Sequence, residues 1–246
     1  MEIPSGEGER RAQRGYVSQY DFAAKVIYEE LAAGGLIWIG VADRGAGSFD
    51  DIVLGFSDKI VGYQIKSSRD PEPFSIHTLL LGAENLLGRM IEARRRIAKE
   101  TANVNIETIY VCDDYPRAND TLPDSEVTSA AYLRAHDAHR GSWVLSNWHN
   151  SLYGSFVKTL QQRSGLDDAD FELMWRNTQF RTSGKGRAIG IENPTASDKK
   201  RIADLAALLP KLVADAGRRA GPTAMDGAPL PISCGAARDR GGKGYS

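Results

Sequence analysis

Three polar residues, Asp51, Gln64 and Lys66, stand in an otherwise strongly apolar stretch, FDDIVLGFSDKIVGYQIKSS, residues 49–68. Together they could do phosphoryl chemistry. Hydrolysing a phosphodiester calls for a divalent cation that offsets negative charge and activates water. The Asp51 carboxylate is the hard oxygen ligand that Mg²⁺ favours. The side-chain carbonyl of Gln64 is a second, neutral oxygen donor, and Lys66 can orient water or stabilise charge developing on a phosphate. Gln64 and Lys66 are two apart, so on a strand they share a face. A D…QxK pattern is short, however. A strand start and a strand end are also ordinary places for solvated charges, so the elements around the three residues must decide.

Those elements can be read from hydrophobic periodicity. Phe49–Phe56 and Lys59–Lys66 read as two strands joined at Ser57-Asp58. With a two-residue turn, Phe56 faces Lys59 and Asp51 falls opposite Gln64, and opposed residues of an antiparallel pair point to one face. One face then carries Ile52, Leu54, Phe56, Val61, Tyr63 and Ile65. The other carries Phe49, Asp51, Val53, Gly55, Ile60, Gly62, Gln64 and Lys66. A three-residue turn shifts the register by one and brings Asp50 to Gln64 instead. Ser-Asp is not the favoured Asn-Gly type of turn, so Asp50 stays open as the alternative.

Before this hairpin, Tyr16, Tyr20, Ala23, Ile27 and Leu31 recur at helical steps, and Gly34-Gly35 ends that helix. Leu36–Val41 reads as a buried strand, followed by a turn at Arg44–Ser48. After the hairpin, Ser75 can cap a long helix to about Lys99, and Ile106–Cys112 is a further buried strand. The order helix, three strands, helix, strand predicts an α/β fold with a mostly contiguous sheet. Two or three short helices are expected between Glu126 and Trp175, a small hairpin between Thr178 and Glu192, and an amphipathic helix over Ser197–Ala216, interrupted by Pro210.

The bulk numbers suit a globular protein. The chain has 246 residues, 41% hydrophobic and 26% charged, with a formal net charge of -1. Nucleic-acid binders are often strongly basic, so any affinity for DNA must come from a local patch. The two cysteines, Cys112 and Cys234, form neither a disulfide framework nor a zinc motif, which suits a reducing cytoplasm. The polar N-terminus has no secretory h-region and no run approaches a membrane span, so no membrane partner is expected.

The segments RGYVSQYDFAAKVIYEEL, FDDIVLGF and YQIKSS resemble the PD-(D/E)XK nuclease superfamily. More narrowly, they resemble the double-stranded DNA endonuclease domains of bacterial anti-phage systems, including CBASS effectors. The specific match covers about residues 14–68; the 75–99 helix and 106–112 strand agree in type only. The resemblance implies a restriction-endonuclease-like core (α-β-β-β-α-β) with additional C-terminal helices. Its implied organisation is a flexible N-terminus over 1–13, a nuclease-like domain over 14–192, a C-terminal helix over 193–218 and a disordered tail or linker over 219–246. It also implies Mg²⁺- or Mn²⁺-dependent cleavage of double-stranded DNA, a sensor or NTPase module or other protein partner, and an oligomer as the active form. Asp51, Gln64 and Lys66 take the motif positions, with Asp51 and Gln64 on the metal. Two departures stand out. No proline precedes Asp51, where Asp50 stands, and Gln64 replaces an acidic residue, removing one negative charge from the site. The second departure keeps open a non-cleaving domain that binds nucleic acid or acts as an adaptor.

In that family the first helix also presents a side chain to the site. By motif position it is Gln19, after Gly15 and Tyr16. Glu30 is the charged alternative. It shares the helix face, since eleven residues at about 100° each return to the same side, yet it lies about 16 Å further along the axis. On the 75–99 helix, Arg89, Arg95, Arg96 and Lys99 are candidates for phosphate contact, against a plain solvated face that Glu92 and Glu100 partly neutralise. His136 and His139 lack a partner at ligand spacing, and Ser183-Gly184-Lys185-Gly186 lacks the full phosphate-loop motif. Trp143, Trp148 and Trp175 are expected to fill the core of the second half.

Overall fold

The computed structural model describes residues 7–41, 49, 51–66, 71–101, 104–182 and 194–219. Asp50, the 44–48 turn, the 183–186 loop and the 220–246 tail lie outside the described residues. The first helix, α1, spans Glu7–Ala33, so residues 7–13, expected to be flexible, are helical. Strand β1 (Trp38–Val41) follows, then β2 (Ile52–Gly55) and β3 (Lys59–Lys66). Next come β4 (Pro73–Phe74), α2 (Ile76–Leu81), α3 (Leu86–Glu100), β5 (Asn105–Cys112) and β6 (Tyr115–Pro116). The second half holds α4 (Ser129–His139), α5 (Leu145–His149), α6 (Gly154–Ser164), α7 (Asp168–Arg176), β7 (Thr178–Arg181) and α8 (Ala196–Arg219).

Among the described residues the central sheet has five strands in the order β1-β2-β3-β5-β7. The first three run antiparallel; β5 is parallel to β3 and β7 parallel to β5. This is a mixed α/β fold. The β2–β3 register pairs Ile52 with Tyr63 and Gly55 with Ile60. The turn is closed by the Phe56 amide donating to the Lys59 carbonyl at 2.8 Å. It is therefore the two-residue turn at Ser57-Asp58, and the same register extended brings residue 51 opposite Gln64.

The apolar face of the hairpin is buried as its periodicity requires. Ile52, Leu54, Val61, Tyr63 and Ile65 pack with Phe22, Ala23, Val26 and Ile27 of α1 and with Leu209 of α8. Helix α8 is tied to α1 by the Tyr28 hydroxyl donating to Asp198 at 2.7 Å, and it runs on through Pro210. The opposite sheet face is covered by α2 and α3. Leu86, Leu87 and Met90 pack with Phe49, Tyr110 and Cys112, whereas Ile97 packs with Val53, Ile60 and Ile106. Helix α3 thus runs antiparallel to β3 and β5, its first turns lying over their carboxyl ends.

Two local expectations are corrected. The 75–99 helix is two helices: Ser75 caps α2 by accepting from the Thr78 amide, but the chain breaks after Leu81 and restarts at Asn85, which is left-handed (φ 41°) and caps α3 through the Gly88 amide. The 49–56 strand begins only at Ile52. Thr178–Arg181 joins the central sheet beside β5, a non-local pairing that local pattern does not reveal; the second arm of the hairpin expected between Thr178 and Glu192 lies outside the described residues. The tryptophans do fill the core, with Trp143 and Trp175 fully buried and Trp148 nearly so. Among the described residues no helix is long and apolar enough to cross a membrane.

Candidate active site

Asp51 sits just before β2, at the carboxyl end of the neighbouring β3. Its position depends on a close approach upstream. Phe49 is fully buried and lies over Gly62, where an added Cβ would stand 3.2 Å from both the Phe49 Cβ and the Phe49 carbonyl oxygen. Glycine at 62 lets the incoming segment press onto β3, and Asp51 lands beside Gln64. One carboxylate oxygen, Oδ2, accepts two hydrogen bonds, from Gln64 Nε2 at 2.6 Å and from the Ile65 amide at 2.6 Å. From α1, Gln19 Nε2 donates to the carbonyl of the same residue, Ile65, at 3.2 Å. Two residues singled out in the sequence, Asp51 and Gln19, thus meet on one residue of β3, and a third, Gln64, bonds the first of them.

The carboxylate is half-buried and Gln64 is buried, at 7% exposure. Burial raises the Asp51 pKa above the usual carboxylate range, opposed by the Ile65 amide, the Gln64 amide and the Lys66 charge, in that order. Lys66 is exposed and near enough for its charge to act on Asp51. Its backbone is held by the end of β5, the Asp113 amide donating to the Lys66 carbonyl at 3.3 Å. The site is therefore a partly desolvated anion lacking a full counter-charge, with an ammonium at its rim. A carboxylate in that state gains from a bound cation.

The donor chemistry fits such an ion. The Gln64 amide turns its nitrogen to Asp51, which leaves its oxygen as the remaining donor, and the Ile65 carbonyl adds a main-chain oxygen. These are hard ligands, and Mg²⁺ is commonly held by one or two carboxylates with its waters retained. Asp51 supplies a negative charge to this set, and among the described residues no group of three or more His, Cys, Asp or Glu is arranged to hold a metal.

Other expected residues are not brought together. The Glu30 charge acts on Tyr63, and with Gln19 at Ile65, Glu30 lies about 16 Å away along α1. Of the four α3 cations expected to contact phosphate, only Arg89 belongs to the turns that cover the carboxyl ends of the strands. Arg95, Arg96 and Lys99 flank Ile97 at the other end of the sheet, between about 9 and 15 Å further along the axis. Arg96 is also paired with Glu92. The reason is helix direction, which the charge pattern does not encode. A cleft of about 600 Å³ lined by Ser75, His77, Asp120, Asp124 and Glu126, among others, shares no residue with the Asp51 site.

Sequence reasoning missed two residues. Gly62 was read only as a face position, and Tyr110 was read only as part of a strand. Tyr110 is the β5 neighbour of Gln64 in register, on the same sheet face. A small residue two before Gln64 was the available signal for the first; the second needed the pairing itself. No family model matches the sequence, and neither does any curated protein. The functional reading rests on these side chains.

Proposed function

We propose that the chain is a metal-dependent endonuclease acting on double-stranded DNA, built on a restriction-endonuclease-like core and serving as an effector in bacterial defence against phage. The observation that carries the reading is the Asp51 carboxylate held between the Gln64 side chain and the Ile65 amide, with Lys66 beside it. The strand order, a helix and an antiparallel three-strand unit followed by a crossover to a parallel strand, supports the core assignment. The defence role and a sensor or NTPase partner rest on the sequence resemblance.

In this reading Asp51, the Gln64 carbonyl and the Ile65 carbonyl would hold Mg²⁺ or Mn²⁺, which would supply charge neutralisation and activation of water. Gln19 steadies Ile65 and so the strand that carries Gln64 and Lys66. Lys66 supplies positive charge to a phosphate oxygen or a hydrogen bond to the attacking water. A second reading, a non-cleaving DNA-binding or adaptor domain, is favoured by Gln64, a neutral residue where the resemblance has an acidic one. Cleavage of linear duplex DNA, tested with Mg²⁺ or Mn²⁺ and again with EDTA, separates the two. The nuclease reading expects cutting that EDTA abolishes. Salt-sensitive binding without cutting, indifferent to EDTA, supports the second. Cutting that persists in EDTA contradicts the mechanism.

A further inference from the structure

Arg89 is held in an unfinished arrangement. Its Nη2 pairs with Glu84 at 3.2 Å, the arginine side chain 24% exposed and the glutamate 57%. Its Nε is buried and, among the described residues, has no hydrogen-bond partner. A buried guanidinium donor without an acceptor loses its hydration with nothing in return, so the position is unfavourable unless an acceptor arrives. The neighbour that partly compensates it is a solvent-facing carboxylate, which contributes little as an exposed ion pair.

The location is specific. Arg89 lies in the first turns of α3, over the carboxyl ends of β3 and β5. Its charge acts on Tyr110, which is buried and paired in register with Gln64. Arg89 therefore stands one strand over from the Asp51–Gln64 pair, on the same face of the sheet. Of the α3 cations expected to meet DNA, it alone is at this end, as shown above. Nε and Nη of one guanidinium form the fork that a phosphate oxygen pair accepts in two parallel bonds.

We infer that Arg89 is an anion-binding residue for a backbone phosphate flanking the one that is cut, with Glu84 occupying the guanidinium until the nucleic acid displaces it. The inference rests on the nuclease reading of the Asp51 site and names how that site holds its substrate. The phosphate replaces Glu84 as the acceptor, satisfies the buried Nε–H and places the strand across Tyr110 toward Gln64. Arg89 is thus a positioning residue.

The test is fluorescence anisotropy of a labelled 20-base-pair duplex with the full chain in EDTA, over a series of salt concentrations, so that binding is read without cleavage. Arg89→Gln is expected to weaken binding about tenfold and to reduce the slope of log affinity against log salt by about one unit, the loss of one phosphate contact. Glu84→Gln is expected to tighten binding several-fold, because the guanidinium no longer has to be released. It is the second variant should Arg89→Gln fail to fold. Lys59→Gln, at the opposite end of β3, is expected to leave the slope unchanged. A wild-type protein that binds and cuts, with Arg89→Gln and Glu84→Gln showing its affinity and slope, overturns the role of Arg89 and leaves the nuclease reading standing. A wild-type protein that neither binds nor cuts duplex DNA overturns both.

Discussion

Asp51→Asn is expected to stabilise the fold while removing the proposed cleavage. The Asp51 carboxylate is half-buried, and burial raises its pKa in the folded state. Its Oδ2 accepts from Gln64 and Ile65, and an asparagine oxygen in the same place keeps both bonds. What the substitution removes is the cost of holding a charge there. The sign follows from proton linkage. A carboxyl whose folded pKa lies above its unfolded value binds more protons folded than unfolded between the two. Wild-type stability therefore falls as pH rises through that window, and the full penalty is present above the folded pKa. The asparagine variant lacks this slope. The gain should be absent in acid and reach ~1 kcal/mol near pH 7, the usual size for relieving a strained functional group, or roughly 2–4 °C in Tm for a chain of this length. Mg²⁺ should reverse the order. At a hundredfold excess over its Kd, a ligand specific to the native state adds ~2.7 kcal/mol, to the wild type alone. Thermal unfolding in EDTA and in Mg²⁺ from pH 4 to 8 reads all of this. An asparagine variant less stable than wild type in EDTA at pH 7, or raised equally by Mg²⁺, refutes the reasoning.

The approach of Phe49 to Gly62 predicts that Gly62→Ala costs about 1–3 kcal/mol by overpacking and weakens cation binding by displacing Asp51; urea unfolding and Mn²⁺ titration check it. Gln19→Ala removes the bond to the Ile65 carbonyl and should cost ~1 kcal/mol while slowing cleavage more than it lowers DNA affinity, read by comparing single-turnover cutting with binding. His136 is buried against Trp175, and desolvation pushes its pKa down to about 4, so it folds neutral. Stability should therefore fall as pH drops from 6.5 toward 4, by up to about 1.4 kcal/mol per pH unit, and an NMR titration of its ring should show it still neutral at pH 5.

Much of the site was legible in the sequence because it is local. The hairpin narrows its own register: alternation on β3 and one polar turn left two ways to pair, Asp51 or Asp50 opposite Gln64, and the two-residue turn of the structure selects the first. Burial on the α1 face followed from the same alternation. What was not legible depends on chain segments far apart. That Thr178–Arg181 pairs with β5, that α8 docks on α1 through Asp198 and Tyr28, and that α3 runs antiparallel to β3 are set by three-dimensional packing. The last of these moved Arg95, Arg96 and Lys99 away from the site, although their spacing on the helix looked as favourable as that of Arg89. The break at Asn85 was missed because a left-handed asparagine cap inside a long periodic run carries little signal beyond Gly82.

The central claim is that Asp51, Gln64 and Lys66 form a cation-dependent site for cutting DNA, and it is tested most directly by measuring Mn²⁺ binding and duplex cleavage on the same samples of wild type, Asp51→Asn and Lys66→Gln, with the activating partner or ligand present. The account predicts that Asp51→Asn loses both the cation and the cutting, and that Lys66→Gln keeps the cation and loses the cutting. Cleavage by Asp51→Asn at the wild-type rate, or a Lys66→Gln protein that cuts normally, would contradict it.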